Sequence, residues 1–98
     1  MKLGVLVSDY RLCVDTLERL QAEKLGLILV LNGVYHAVLQ EGGESSALLQ
    51  KTPHIFALKE DLLTRGLDPQ QVDSRVKVLD YEGLVDVIFN EFDKVAWL

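Results

Sequence analysis

Apolar side chains recur along this chain in two rhythms, short continuous runs and helical spacings, and the two alternate. Leu3 to Val7 is an apolar run ended by Ser8 and Asp9, which predicts a buried strand followed by helix-capping residues. From Leu12 to Lys24, Cys13, Leu17 and Leu20 fall at i, i+4 and i+7 while Asp15, Glu18, Arg19 and Glu23 point elsewhere, the pattern of an amphipathic helix. Leu25 to Leu31 is apolar at nearly every position and too short for a buried helix, so it reads as a central strand. Asn32-Gly33 then makes a tight turn into a short helical stretch carrying Val34, Ala37 and Val38. Gln40 to Ser46 is the most polar and Gly/Ser-rich segment and reads as a mobile loop, with Leu48 and Leu49 resuming packing beyond it.

The second half repeats the alternation. Pro53 breaks any helix, His54 to Leu58 reads as a strand, and the helical pattern of Glu60, Leu62, Leu63 and Arg65 is ended by Gly66. After the loop-like Asp68-Pro69-Gln70-Gln71, Val76 to Leu79 is a fourth strand, with Asp80 where an N-cap belongs. Tyr81, Leu84, Val85, Ile88 and Phe92 then trace one face of a final helix, and Val95 to Leu98 supplies a short fifth strand. Strands alternating with helices imply an α/β fold: three layers, α/β/α, around a mostly parallel sheet of about five strands. No fixed-period repeat or separating linker appears, so residues 1–98 are expected to form one domain.

Candidate chemistry narrows the picture. The carboxyl ends of the strands, where open α/β sheets place their ligands, carry Ser8-Asp9-Tyr10, Asn32-Gly33, Lys59-Glu60-Asp61 and Asp80-Tyr81. Neither G-x-G-x-x-G nor G-x-x-x-x-G-K-[ST] occurs, so nucleotide binding lacks support, and no serine has the G-x-S-x-G context of a hydrolase. His36 and His54 stand 18 residues apart with no nearby cysteine and no i, i+4 partner histidine, so no metal or other cofactor is expected. Glu60 and Asp61 are adjacent, point about 100° apart on a helix, and are read as helix N-terminal charges rather than a shared-proton pair. Cys13 is the only possible thiol nucleophile; its position near a helix start favours the thiolate, while its shared face with Leu17 and Leu20 favours a packed core residue. Trp97 either docks on its own domain or anchors a subunit interface.

Composition adds constraints. Fifteen acidic against ten basic side chains leave a net charge of −5, unfavourable for gripping a phosphate backbone directly. One cysteine permits no internal disulfide and suits a reducing compartment, so the cytoplasm is expected. The longest apolar run falls well short of the roughly 20 residues a membrane helix needs, and Met1 to Val7 lacks the features of a signal peptide.

Four segments, taken in order, carry a family resemblance. They are Leu29-Val30-Leu31-Asn32-Gly33-Val34-Tyr35-His36-Ala37, then Phe56-Ala57-Leu58-Lys59-Glu60-Asp61-Leu62-Leu63-Thr64-Arg65-Gly66, then Val78-Leu79-Asp80-Tyr81-Glu82-Gly83-Leu84-Val85-Asp86, and the closing Lys94-Val95-Ala96-Trp97-Leu98. With these the chain resembles the DsrH/TusB family of small sulfur-relay subunits. The resemblance implies a three-layer α/β fold and a complex with DsrE/TusD-like and DsrF/TusC-like subunits. In such a complex sulfur passes as a persulfide between cysteines, towards 2-thiouridine at the tRNA wobble position or, in sulfur oxidisers, within sulfur oxidation. It also implies that the principal sulfur-accepting cysteine belongs to the DsrE/TusD-type subunit. This chain has no matching cysteine after a central strand, and Cys13 lies earlier than the cysteine some DsrH members carry.

Residues and resemblance together describe a partner or regulatory subunit rather than a stand-alone enzyme, touching tRNA only through its complex. The candidate contact regions are the turn of Asn32, Gly33, Val34 and Tyr35, the Asp80-Tyr81 corner, and Trp97. Two alternatives stay open: a direct persulfide carrier through Cys13, and a homo-oligomeric small-ligand binder using the strand-end crevice.

Overall fold

The computed structural model describes residues 2–8, 24–38, 40–41, 44–45, 47–50 and 52–97. Among these are five strands of one parallel sheet: β1 (Lys2–Val7), β2 (Lys24–Leu29), β3 (His54–Leu58), β4 (Val76–Leu79) and β5 (Lys94–Trp97). Two α-helices, α1 (Lys59–Thr64) and α2 (Tyr81–Glu91), follow β3 and β4 directly. The helix expected over Leu12 to Lys24, and Cys13 with it, lies outside the described residues except for Lys24, which opens β2.

The spatial order is β4-β3-β2-β1-β5, parallel throughout. From β2 to β4 the chain steps in one direction, then crosses back past β1 to place β5 on the far edge. Right-handed crossovers in opposite directions leave their helices on opposite faces. Accordingly Leu62 of α1, Val34 and Ala37 of a 3-10 helix (Leu31–Ala37), and Leu49 of a second (Ala47–Gln50) pack with Leu3, Val5, Val7, Leu27, Leu29, Ile55, Ala57 and Val76. On the other face Leu84 and Phe92 pack with Ile28, Val30 and Phe56, joined by half-buried Leu6, Leu58, Leu79, Val87 and Ile88. β2 lies between both layers, and Gly26 to Leu29 are all buried, which explains its unbroken apolar run.

Phe92 fixes how α2 leads into β5. A Cβ built on Gly26 would lie 2.1 Å from its ring and one on Gly4 3.1 Å, so two glycines on adjacent strands make room for one phenyl group. That ring meets Phe56 edge-on at 6.5 Å between centroids, and the Lys24 ammonium lies 5.5 Å from its centre while pairing with Glu91 at 3.5 Å. Asp93 then pins β5 to the start of β1: its carboxylate accepts the Lys2 backbone N–H at 2.9 Å and its own N–H donates to the Lys2 carbonyl at 2.8 Å.

Element ends follow local chemistry. Asp80 caps α2, its carboxylate accepting the Gly83 N–H at 2.8 Å, as the sequence predicts. α1 ends in paired bonds from Gly66 N–H to the Leu63 carbonyl and from Leu67 N–H to the Leu62 carbonyl, with Gly66 at φ +70° and Leu67 packed on the same core as Leu62. The segment read as a loop over Gln40 to Ser46 contains a short antiparallel pairing of Gln40–Glu41 with Glu44–Ser45. No helix among the described residues is long and apolar enough to cross a membrane.

Candidate functional site at the carboxyl edge of the sheet

Because all five strands run the same way, their carboxyl ends share one edge, and most of the residues singled out from sequence lie along it. The β2 end turns sharply. Val30 N–H still bonds the Val7 carbonyl at 3.0 Å, and Leu31 then adopts φ +50°, a left-handed conformation that costs a leucine about 1–2 kcal/mol. The Leu31 N–H is taken by the Asp61 carboxylate of α1 at 2.7 Å, which holds the turn where the bare chain would relax. Asn32 follows, exposed, with its side-chain oxygen accepting from Arg65 Nε at 3.0 Å. Arg65 itself is anchored to α1 through the Asp61 carbonyl at 3.2 Å and the Asp61 carboxylate at 3.7 Å.

The 3-10 helix thus begins at Leu31, before Asn32-Gly33, rather than after a turn made by that pair. Its entry is tight because Gly33 is buried directly against β1: a Cβ there would lie 1.8 Å from the Val7 carbonyl oxygen. Gly33 therefore sits inside the fold beneath the turn, Tyr35 is half-buried, and Asn32 is the member of this group presented outward.

The β4 corner is braced in the same manner. Glu60, the neighbour of Asp61 on α1, accepts the Tyr81 N–H at 2.8 Å and so covers a free donor of the first turn of α2. Tyr81 remains 64% exposed beside Asp80. Glu60 and Asp61 lie in the first turn of α1, as read from sequence, and in addition reach across to the N-terminal backbone of two neighbouring elements. The physical reason is the divergence of adjacent side chains on a helix, which lets one short helix serve the β2 turn with one carboxylate and the β4 corner with the next.

Trp97 stands apart. It pairs with Leu6 at the end of β5, four strands from β4, which is roughly 19 Å at the ordinary interstrand spacing. Trp97 is 62% exposed, so packing on its own domain covers only part of it, as expected on an edge strand. The structure therefore gathers Asn32, Asp80 and Tyr81 around α1 and leaves Trp97 at the opposite end of the same edge.

Three contributors were not singled out by the sequence reading: Leu31, Arg65 as a side-chain donor, and Phe89. Asp61 and Arg65 at i, i+4 were a legible pair, and Phe89 is an aromatic off the core-facing spacing of α2, 80% exposed. Nothing in the sequence marks Leu31 for a left-handed backbone. Among the described residues no group of three metal-ligating side chains converges, and no buried side-chain polar atom lacks a partner. Elsewhere, Arg75 beside Asp73 holds the Asp73 carboxyl down at about 2, through side-chain and backbone hydrogen bonds.

Comparisons with known proteins converge. A family model described as "DsrH like protein" matches residues 8–94. The chain is 31% identical over 90 residues to "Protein TusB" of Photorhabdus laumondii subsp. laumondii, covering 92% of this chain and 93% of that one. It is 28% identical over the same length to "Protein TusB" of Yersinia pestis (strain Pestoides F), again covering 92% and 93%. The solution NMR structure of protein Tm0979 from Thermotoga maritima superposes with a TM-score of 0.60 at 24% identity, covering 93% of this chain and 94% of that one, a likeness of fold.

Proposed function

Since the chain belongs to the DsrH family, we propose that it works as an accessory subunit of a sulfur-relay complex, beside DsrE/TusD-like and DsrF/TusC-like partners. The observation that carries this reading is the family match across residues 8–94. Relatives called TusB favour tRNA wobble-uridine 2-thiolation over sulfur oxidation as the pathway served. The part this chain plays is that of a shaped surface. Its net charge of −5 is unfavourable for gripping tRNA phosphates directly and supports a reading in which another subunit makes that contact.

The braced carboxyl edge supports that role. Asp61 and Glu60 clamp the backbone at Leu31 and Tyr81, so Asn32, Asp80 and Tyr81 are presented on a frame ordered in advance, which reduces the entropy lost on association. Trp97 offers a separate aromatic anchor at the far end of the edge. Gly33 contributes from beneath, by setting the path of the turn. Co-expression with DsrE-like and DsrF-like subunits, followed by purification through a tag on this chain, should recover all three, and the assembly should accept sulfur from a cysteine desulfurase. A chain that stays alone under reducing conditions in the presence of both partners refutes the reading.

A further inference from the structure

The solvent side of α2 combines two properties that isolated surface residues do not. Phe89 is 80% exposed and Tyr81 64%, and with half-buried Val85 between them they recur every four residues, so they form one apolar stripe along the helix. A shallow depression lined by Tyr81, Glu82, Val85 and Asp86 opens beside it. Between Asp80 and Asp93 the chain holds five carboxylates, Asp80, Glu82, Asp86, Glu91 and Asp93, and no lysine or arginine. Glu91 pairs with Lys24, Asp93 binds the Lys2 backbone and Asp80 caps the helix. Glu82 and Asp86, both exposed next to the stripe, make no ion pair with any described residue.

This charge selects the occupant. A second copy meeting the first across a two-fold axis would set Glu82 and Asp86 against their equivalents, and like charges across an interface are costly. Nucleic acid and anionic membrane surfaces are repelled for the same reason. We propose that the outer face of α2 is a docking surface for a different protein chain presenting apolar side chains rimmed by lysine or arginine, with Phe89 and Tyr81 as aromatic anchors and Glu82 and Asp86 as the complementary charges. Where that chain is one of the relay subunits, this deepens the function proposed above and rests on it; the surface chemistry itself does not.

Two measurements separate the proposals. In the first, the isolated chain is titrated with a 20-residue peptide of leucines and lysines at helical spacing while amide resonances are followed. Shifts should concentrate over residues 81–89 and fade as salt is raised; shifts concentrated elsewhere, or none, overturn the docking surface. In the second, co-purification with the DsrE-like and DsrF-like subunits is repeated with Phe89→Ser, with Glu82→Lys/Asp86→Lys, and with Leu63→Ser on the opposite layer as control. Phe89→Ser should keep its melting temperature, since its ring is solvated, and weaken partner retention roughly 30-fold, the effect of losing an interface anchor. The charge reversal should weaken retention more at low salt than at high, and Leu63→Ser should leave it unchanged. Full retention by both α2 variants overturns the docking surface and leaves the sulfur-relay reading standing. Peptide binding at α2 without recovery of either subunit does the reverse.

Discussion

Replacing Gly33 by alanine puts a methyl carbon 1.8 Å from the Val7 carbonyl oxygen, where real Cβ atoms keep at least 3.0 Å, so 1.2 Å must be recovered by moving backbone. Neither side of the contact is free to move. The Val7 carbonyl holds the Val30 N–H at 3.0 Å, and Gly33 N–H holds the Val30 carbonyl at 2.8 Å. Drawing the 3-10 turn away from β1 to relieve the clash loses one or both bonds, at about 0.5–1.5 kcal/mol each, on top of about 1–3 kcal/mol for overpacking. The sum is about 4 kcal/mol, a large share of the roughly 5–15 kcal/mol that keeps a domain folded. Gly66→Ala is the matched control, because Gly66 has φ +70° but nothing within 4 Å of its Cβ position. It should cost only the left-handed backbone penalty, about 1–2 kcal/mol. In urea, with a slope of about 2 kcal/mol per molar, the midpoint should fall by about 2 M for Gly33→Ala and by under about 1 M for Gly66→Ala. If Gly33→Ala unfolds no earlier than Gly66→Ala, the close approach of the turn to β1 is not what requires glycine there.

Leu31→Gly should leave stability within about 1 kcal/mol of the parent, because relief of the left-handed backbone offsets the loss of a side chain that is 45% exposed. Leu29→Ala, fully buried on β2, should cost about 2–5 kcal/mol in the same urea titration, and equal losses would contradict the strain assigned to Leu31. Asp73 is held at about 2 by Arg75, below its ordinary 3.8, so its contribution is complete above about pH 5 and is lost as the pH falls towards 2. The gap in urea midpoint between the parent and Asp73→Asn should therefore be constant above about pH 5 and close towards pH 2; a gap that stays constant throughout removes the pair as its source.

The sheet was legible because burial leaves a plain signature. β2 is sandwiched by both layers and reads as an unbroken apolar run; α2 packs Leu84, Val87 and Ile88 on the core and reads as a helical period, although Tyr81 and Val85, which the spacing puts on the same face, lie outside that core; Asp80 and Gly66 mark helix ends by chemistry that acts within a few residues. The bracing of the edge was hidden because it acts between elements distant in sequence. Asp61 reaches Leu31 across 30 residues and Glu60 reaches Tyr81 across 21, and nothing in an acidic pair near a helix start says which helix it will serve. In the sequence Gly33 reads as a turn former, whereas its fixed requirement is room for the Val7 carbonyl. Phe89 lies outside the core spacing of α2, where a single exposed aromatic is an ordinary surface feature; it gains meaning only from the stripe with Tyr81 and Val85 that the helix aligns.

The order β4-β3-β2-β1-β5 also sets a timetable for folding. β1 finds β2 at a separation of 22 residues, Lys2 with Lys24, but meets β5 at a separation of 91, Leu3 with Lys94. Closing the longer loop costs about 1.3 kcal/mol more in chain entropy, which favours pairing of β1 with β2 ahead of β5. Until β5 pairs, β1 offers Leu3, Val5 and Val7 on an unpaired edge, the arrangement most open to wrong partners. In the native fold Phe92 closes that edge: with its ring seated over Gly4 and Gly26, Asp93 reaches Lys2 and β5 lies in register with β1.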